Sequence, residues 1–436
     1  MESGQEANKL SFEEKACIFS HEYLKCCMYL VEVEPSRYTY TKRLYSQLVS
    51  TSQLLEDLLD FHGAKNNRKW YFYRELSAAV RHLSNAAYSQ KHIFSRLPFY
   101  ELREVNDFEE EGEATHQFII LSLRKLAPII LEEAGRLEIT LPDHTYSIKE
   151  FPRVSTSQIL ESDIDDEERI QKKENVVKVS SEFLNIAKVF DGLGFYERLD
   201  KERIRQMVPA KVNEVEIRRF EMVVHNLQSA FDSYVIHGGY RLGNRKLKQL
   251  RGYFSVVLHL LSLTGRLLHF YERHLHDVGY KNVYKNIRDR LASLIDPESL
   301  LDRTINYGLY FVCFFLTQGR SLAKEILNEN ITRKAIRVGI PMNLGFHSRP
   351  SLLVAKIVQH FGGQVEMVVG EHRFDASSVL DIQWAGGKIH KENIKEVVFE
   401  GDERALKDIA VLASVNYGED TMGKGVPLPK ELGYLK

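Results

Sequence analysis

The stretch Gly345-Phe346-His347-Ser348-Arg349-Pro350 decides how the C-terminal part of this chain is read. Before it, Ile336, Val338 and Ile340 alternate with polar or small residues, the period of a strand. After it, Leu353, Val354, Ile357, Val358 and Phe361 recur at the spacing of a helix. The six residues therefore predict a strand-to-helix turn, with Pro350 in a first turn where a missing N–H has no partner to lose. The free N–H groups of a helix start carry partial positive charge and seat anions, phosphoryl groups included. A histidine held there, beside the hydroxyl of Ser348 and the cation of Arg349, has the chemistry to carry phosphate on a ring nitrogen. The same six residues also fit a turn in which the histidine is only a cap, so the flanking sequence has to decide.

Downstream, Gln364–Val369 alternates as a second strand between Gly362-Gly363 and Gly370. His372-Arg373-Phe374 is a short third strand, and Ser378 to Ala385 a short helix stopped by Gly386-Gly387. A fourth strand follows at Ile394–Phe399. Gly401-Asp402-Glu403 then opens a last helix with Ala405, Leu406, Ile409, Ala410 and Leu412 as its apolar stripe. The order is β-α-β-β-α-β-α.

On these residues the span from Lys334 to Tyr417 resembles HPr, the histidine phosphocarrier family of the bacterial phosphoenolpyruvate:sugar phosphotransferase system. The resemblance implies an open-faced α+β sandwich, a four-stranded antiparallel sheet with three helices on one face. It implies His347 as phosphoryl acceptor, with Ser348, where threonine is common in the family, and Arg349 stabilising the phosphate. Pro350 matches the proline that opens the first helix. Ser378 matches the serine that HPr kinase modifies in some bacteria, although Ser377 is adjacent and a serine here also reads as a plain N-cap. The implied partners are an enzyme I-like phosphodonor, a sugar-permease acceptor domain or a regulated protein, and HPr kinase. The chain would be a phosphoryl carrier with a helical partner-binding or effector region. The alternative is a regulatory scaffold whose HPr-like domain is a phosphorylation-dependent switch and whose helical domain binds another protein. In either case it would have no cofactor or metal and would not be an enzyme. Lys388, His390 and Lys391 make the segment 386–393 more basic than is usual in the family, which bears on which partner docks.

The rest of the 436 residues reads as almost wholly helical from Ser11 to Asn330. Ser11-Phe12-Glu13-Glu14 is a capping-box start. Helical patterns run over 38–61, 67–96, 114–137, 174–190, 215–237, 246–278, 283–294 and 299–327. Proline, a serine/threonine cluster and the acidic run Asp163 to Glu168 mark a break at 141–168. The expected organisation is multidomain: an all-α bundle over 1–140, the linker 141–168, a second bundle over 169–330, the HPr-like domain over 334–417 and a tail over 418–436. A formal net charge of −1 gives no global pull toward nucleic acid or membrane. Four cysteines without paired spacing, no signal pattern at the N-terminus and an apolar run at 309–316 far short of a membrane span predict a cytoplasmic protein without membrane insertion.

Three features of the helical part carry possible chemistry. Glu113 and His116 have the spacing of di-metal bundles, but one copy alone reads as chance. The loop from Gly238 to Lys248 combines glycines with Arg241 and Arg245, a candidate contact for an anion or an acidic partner; a solvated basic face is the plainer reading. His259, His269, His274 and His276 read as half-buried polar fillers. No paired carboxylates, nucleophile constellation or nucleotide fingerprint marks the helical part as an enzyme.

Overall fold

Helix starts in this molecule are fixed by their caps. Ser11 accepts from the amide of Glu14 while the Glu14 carboxylate accepts from the Ser11 amide, so α1 (Phe12–Glu32) begins with a complete capping box. Thr41 caps α2 (Lys42–Phe61), on which Leu44, Leu48, Leu55 and Leu59 form the buried stripe. The computed structural model describes residues 10–154, 160, 173–233, 245–276, 278–342 and 344–435. The helices that follow are α3 (Tyr71–Tyr100), α4 (Asn106–Arg136), α5 (Lys173–Asp191), α6 (Lys201–Met207) and α7 (Glu214–Phe231). Next come α8 (Arg245–Phe270), α9 (Asn282–Leu294), α10 (Pro297–Asp302) and α11 (Tyr310–Asn330). Among the described residues, π-helical turns stand at Tyr271–His276 directly after α8 and at Arg303–Leu309 directly before α11.

The chain is mostly helical and divides into two compact units, but not at the expected break. One unit comprises 1–165, 193–226 and 251–316; the other comprises 166–192, 227–250 and 317–436. Two consecutive bundles meeting at 141–168 are therefore not what the helices form, because packing joins segments from both sides of that break. In the first unit the core is rich in tyrosine: Tyr23, Tyr29, Tyr45, Tyr73 and Tyr307 are fully buried. Backbones approach closely at Gly252 on α8, where a Cβ would come within 2.7 Å of Tyr100 Cβ. The same interior holds charge. Arg74 reaches Glu56 at 2.9 Å, Asp60 at 2.7 Å and Glu75 at 2.9 Å. Among the described residues one helix, Arg245–His276, is long and apolar enough to cross a membrane, and most of its apolar window is buried inside the protein.

In the second unit the chain forms β1 (Arg333–Gly339), α12 (Ser348–Phe361), β2 (Val365–Val369), β3 (His372–Asp375), α13 (Val379–Glu392), β4 (Glu396–Asp402) and α14 (Glu403–Ser414). The sheet is antiparallel throughout in the order β1-β4-β2-β3. Phe399 on β4 pairs with Ile336 on one side and Met367 on the other. Val365, Met367, Val397 and Phe399 face a core shared with Val354, Ile382 and Ile409 of the three helices. Alternation therefore translates directly into one covered face. Asp402, buried, caps α14 through the Arg404 amide and is neutralised by the Arg404 side chain at 2.7 Å.

One expectation is corrected here. The pair Gly386-Gly387 does not stop α13, which continues to Glu392 and ends at left-handed Asn393 (φ 50°). Gly386 is instead a packing position, because a Cβ there would lie 3.1 Å from Phe346 O. In the tail beyond 417, Leu432 and Leu435 are buried in the same core as Phe399.

Two predictions follow from burial. Leu432→Ala is expected to cost about 2–5 kcal/mol in urea unfolding; a loss below ~0.5 kcal/mol would show that the segment only rests on the surface. The second concerns acid. Burial pushes the pKa of His116 down to about 3, of His259 to about 3 and of His92 to about 4, and lowers those of His82 and His269. The unfolded chain takes up these protons near pH ~6.5 while the folded chain refuses them, so stability is full above that value and falls as pH drops toward ~4. His116 and His259 each contribute up to ~1.4 kcal/mol per pH unit, and half-exposed His92 less. Urea titrations at pH ~7, ~6 and ~5 should show this decline, with a shallower slope for His116→Gln.

Candidate functional site

The turn before α12 is built on backbone that few residues adopt. Leu344 (φ 53°) and Gly345 (φ 59°) are both left-handed, which folds the chain back so that Phe346 enters the core. Phe346 packs edge-on against Tyr417, ring centroids 5.2 Å apart, and against Phe399 at 6.4 Å. Buried Ser351 donates its hydroxyl to Phe346 O at 3.0 Å, pinning the turn to the helix. His347 then occupies the N-cap of α12 with extended backbone (φ −78°, ψ −169°), its side chain 32 % exposed. Ser348 and Arg349 are the first two residues of the helix, whose amides have no intrahelical acceptor, and Pro350 is third, without an N–H.

The residue that meets His347 lies outside the six-residue stretch. The side chain of Glu419 is fully buried and places Oε1 3.0 Å and Oε2 3.1 Å from His347 Nε2. A closed loop holds it there. Glu419 bridges Gly425, the Asp420 amide donates to Lys424 O at 2.8 Å, and the Val426 amide donates to Gly418 O at 2.9 Å. Asn416 and Tyr417 enter this loop left-handed, at φ 50° and 53°. The Tyr417 hydroxyl, donating to Gly339 O at 2.7 Å, ties the loop to β1.

This geometry assigns the protons. A buried carboxylate accepts, so Nε2 of the neutral imidazole carries the hydrogen and Nδ1 keeps the lone pair. Nδ1 is thereby the nucleophilic nitrogen, at the positive end of α12. Arg349 Nη1 lies 3.8 Å from Glu419 Oε1, and its guanidinium packs so closely over Gly425 that a Cβ there would come within 2.9 Å of it. Ser348 Oγ accepts from Gln383 Nε2 at 3.2 Å, which ties α13 to the site. Large apolar side chains stand exposed on the segments framing His347: Met342, Leu344, Leu380, Trp384 and Met422.

His347, Ser348 and Arg349 are thus brought together, and Glu419 joins them. Ser378 acts as the cap of α13: its hydroxyl accepts from the Asp381 amide at 3.2 Å and lies 3.1 Å from Asp381 Oδ1. Arg245 is exposed at the start of α8, and Arg241 lies outside the described residues. His116 meets the Tyr45 hydroxyl at 2.9 Å in the buried interior. His259 packs on His92 with ring centroids 4.0 Å apart, and His276 on Tyr271 at 5.4 Å.

No family model, no curated protein and no solved structure matches this chain. What the site can do therefore rests on its own geometry.

The tautomer is directly measurable. In long-range proton–nitrogen NMR spectra of the neutral ring, His347 is expected as the Nε2–H form. Glu419→Ala should convert it to the tautomer mixture of a free histidine. A wild-type ring protonated on Nδ1 would overturn the assignment.

Proposed function

We propose that the C-terminal α/β part is an HPr-like phosphocarrier that accepts a phosphoryl group on Nδ1 of His347 and passes it to a partner. The observation that carries this is the His347–Glu419 contact at the start of α12. It holds Nε2 and leaves the other nitrogen of a partly exposed ring at the helix start that Ser348 and Arg349 open. In the forward step the Nδ1 lone pair attacks the phosphorus of a phosphorylated donor, and the donor's P–N or P–O bond breaks with the electron pair leaving on the donor. The product phosphate is doubly charged, and the helix start and the Arg349 guanidinium offset that charge. Transfer onward reverses the step with a new nucleophile. Phosphoenolpyruvate-charged enzyme I is the donor class this reading names, and a sugar-permease domain the acceptor. The exposed Leu344, Leu380, Trp384 and Met422 supply the apolar contact for docking either.

A second reading makes the same phosphorylation a switch rather than a relay. It is favoured by how the α/β part is tied to neighbouring helices of its own unit. Asn328 of α11 accepts from the Gln364 amide at 2.8 Å, Ser181 of α5 donates to Phe361 O at 3.3 Å, and Arg404 donates to Ser181 Oγ at 3.2 Å. A carrier fixed in this way is suited to altering the helices it touches.

The test is transfer from phosphoenolpyruvate through a general enzyme I to the intact chain. Removing the ring entirely would leave Glu419 buried without a donor, so His347→Gln, which keeps an N–H, is used beside His347→Ala. Acid-labile label on the wild type, absent from both variants and chased onto a sugar-permease domain, is expected for the carrier. Label that stays on the chain selects the switch. No label, with an enzyme I proven active on another carrier, overturns both.

A further inference from the structure

The helical unit gathers three histidines from distant parts of the chain. His82 stands on α3, His269 near the end of α8 and His274 on the π-helical turn Tyr271–His276; each offers a ring nitrogen within 4.8 Å of the others'. His82 and His274 are buried, 1 % and 4 % exposed. The turn type explains the meeting. Residues five apart on an α-helix point roughly 140° away from each other. The π-turn Tyr271–His276 bonds residue i to i+5 just after His269 and so changes the direction in which His274 leaves the axis; the two ring centroids lie 6.0 Å apart.

Two of the rings are held from behind by carboxylates. His274 Nδ1 lies 2.7 Å from Glu75 Oε2, and His269 Nδ1 lies 2.8 Å from Glu214 Oε1. Glu75 takes the Nδ1 hydrogen of His274 and leaves its Nε2 lone pair free, the pairing that orients metal-ligating imidazoles. Glu214 approaches His269 Nδ1 at ion-pair distance without a formed hydrogen bond. The third ring is incompletely satisfied. His82 Nε2 accepts from Arg81 Nη2 at 3.0 Å, while its Nδ1 is buried with no partner. Three imidazoles this close cannot all be cations, and burial holds His82 and His269 toward the neutral form that ligates metals. Around them the carboxylates of Glu56, Glu75 and Glu214 stand against the guanidinium groups of Arg74, Arg81 and Arg266.

We propose that His82, His269 and His274 bind one divalent transition metal of the imidazole-preferring class, with Zn²⁺ the leading occupant. At Zn–N distances of ~2.0–2.1 Å the three nitrogens close to about 3.4 Å from one another, a movement within reach of side-chain torsions. Arg81 gives up its contact to His82 and keeps Glu56, whose Oε2 lies 2.6 Å from Arg81 Nε. A cleft of about 590 Å³, lined by His269 and His274 together with Glu56, Asp60, Tyr71 and Arg273, gives access to two of the three rings, with His82 behind them. Ligand set, carboxylate support and access are the properties required of a metal site.

The experiment uses the untagged full-length chain, stripped with chelator and titrated with Co²⁺ and then Zn²⁺. About one equivalent of Co²⁺ per chain is expected, with visible d–d absorption that Zn²⁺ displaces. His82→Ala and His274→Ala should abolish the absorption, Glu75→Gln should weaken binding about 10–100-fold, and His21→Ala, exposed and outside the cluster, should change nothing. Circular dichroism checks that each variant folds. Should the alanine variants fail to fold, X-ray absorption on the Zn²⁺-loaded wild type decides, with three imidazole ligands expected. A spectrum with fewer than two imidazoles, binding unaffected by both histidine variants, or no binding at tens of micromolar metal overturns the proposal.

Discussion

A carboxylate taken out of water has to be met by a donor, and in this molecule the donor is repeatedly an imidazole. Glu419 meets His347, Glu75 meets His274, and Glu214 meets His269. The constraint is energetic before it is chemical. A buried carboxylate left without its donor is unfavourable, so each contact resists rearrangement and fixes its ring in position. The chemical consequence follows without further cost. The nitrogen that faces the carboxylate holds the hydrogen, and the other presents its lone pair.

Burial of charge also shapes the backbone of the helical unit. Arg74 is enclosed by Glu56, Asp60 and Glu75, with its own pKa raised by those carboxylates and that of Glu75 lowered by His274 and Arg74 against the opposing effect of burial. His274 joins this network through Glu75, while His269 reaches a second carboxylate, Glu214. An unbroken α-helix would direct one of them elsewhere. The π-turn at Tyr271–His276 is a less favourable backbone than α-helix, and the two carboxylate contacts are the interactions that accompany it.

Local features of the fold were legible in sequence because their causes are local. The capping box at Ser11, the alternation of Val365, Met367 and Val369, and the cap at Asp402 each lie within a few residues of the element they specify. Gly386 was not legible, since a glycine that stops a helix and one that admits a neighbour look the same until Phe346 is seen against it. The division of the helices into units was hidden for a similar reason: segments 193–226 and 251–316 join the first unit through packing that no linker composition announces. At the candidate site, His347, Ser348 and Arg349 are contiguous and could be read together. Glu419 could not, being 72 residues further on. The turn signals Gly418, Gly423 and Gly425 mark a loop there, but not the direction in which it folds. His82 is a harder case, because a histidine on a long buried helix has no sequence feature tying it to His269 and His274.

The two sets of histidines differ in which nitrogen the carboxylate takes, and the difference suits their surroundings. Nδ1 lies next to the main chain, whereas Nε2 projects beyond it. At His347 the carboxylate holds Nε2, so the reactive lone pair sits close to the backbone, where the amides of Ser348 and Arg349 can reach whatever is attached to it. At His274 the carboxylate holds Nδ1, and at His269 it approaches Nδ1, so the lone pairs stand away from their own backbone and can converge with a side chain from another helix. One interaction, applied to opposite sides of the ring, thus leaves Nδ1 uncovered at a helix start in one unit and a ring nitrogen close to two other imidazoles in the other.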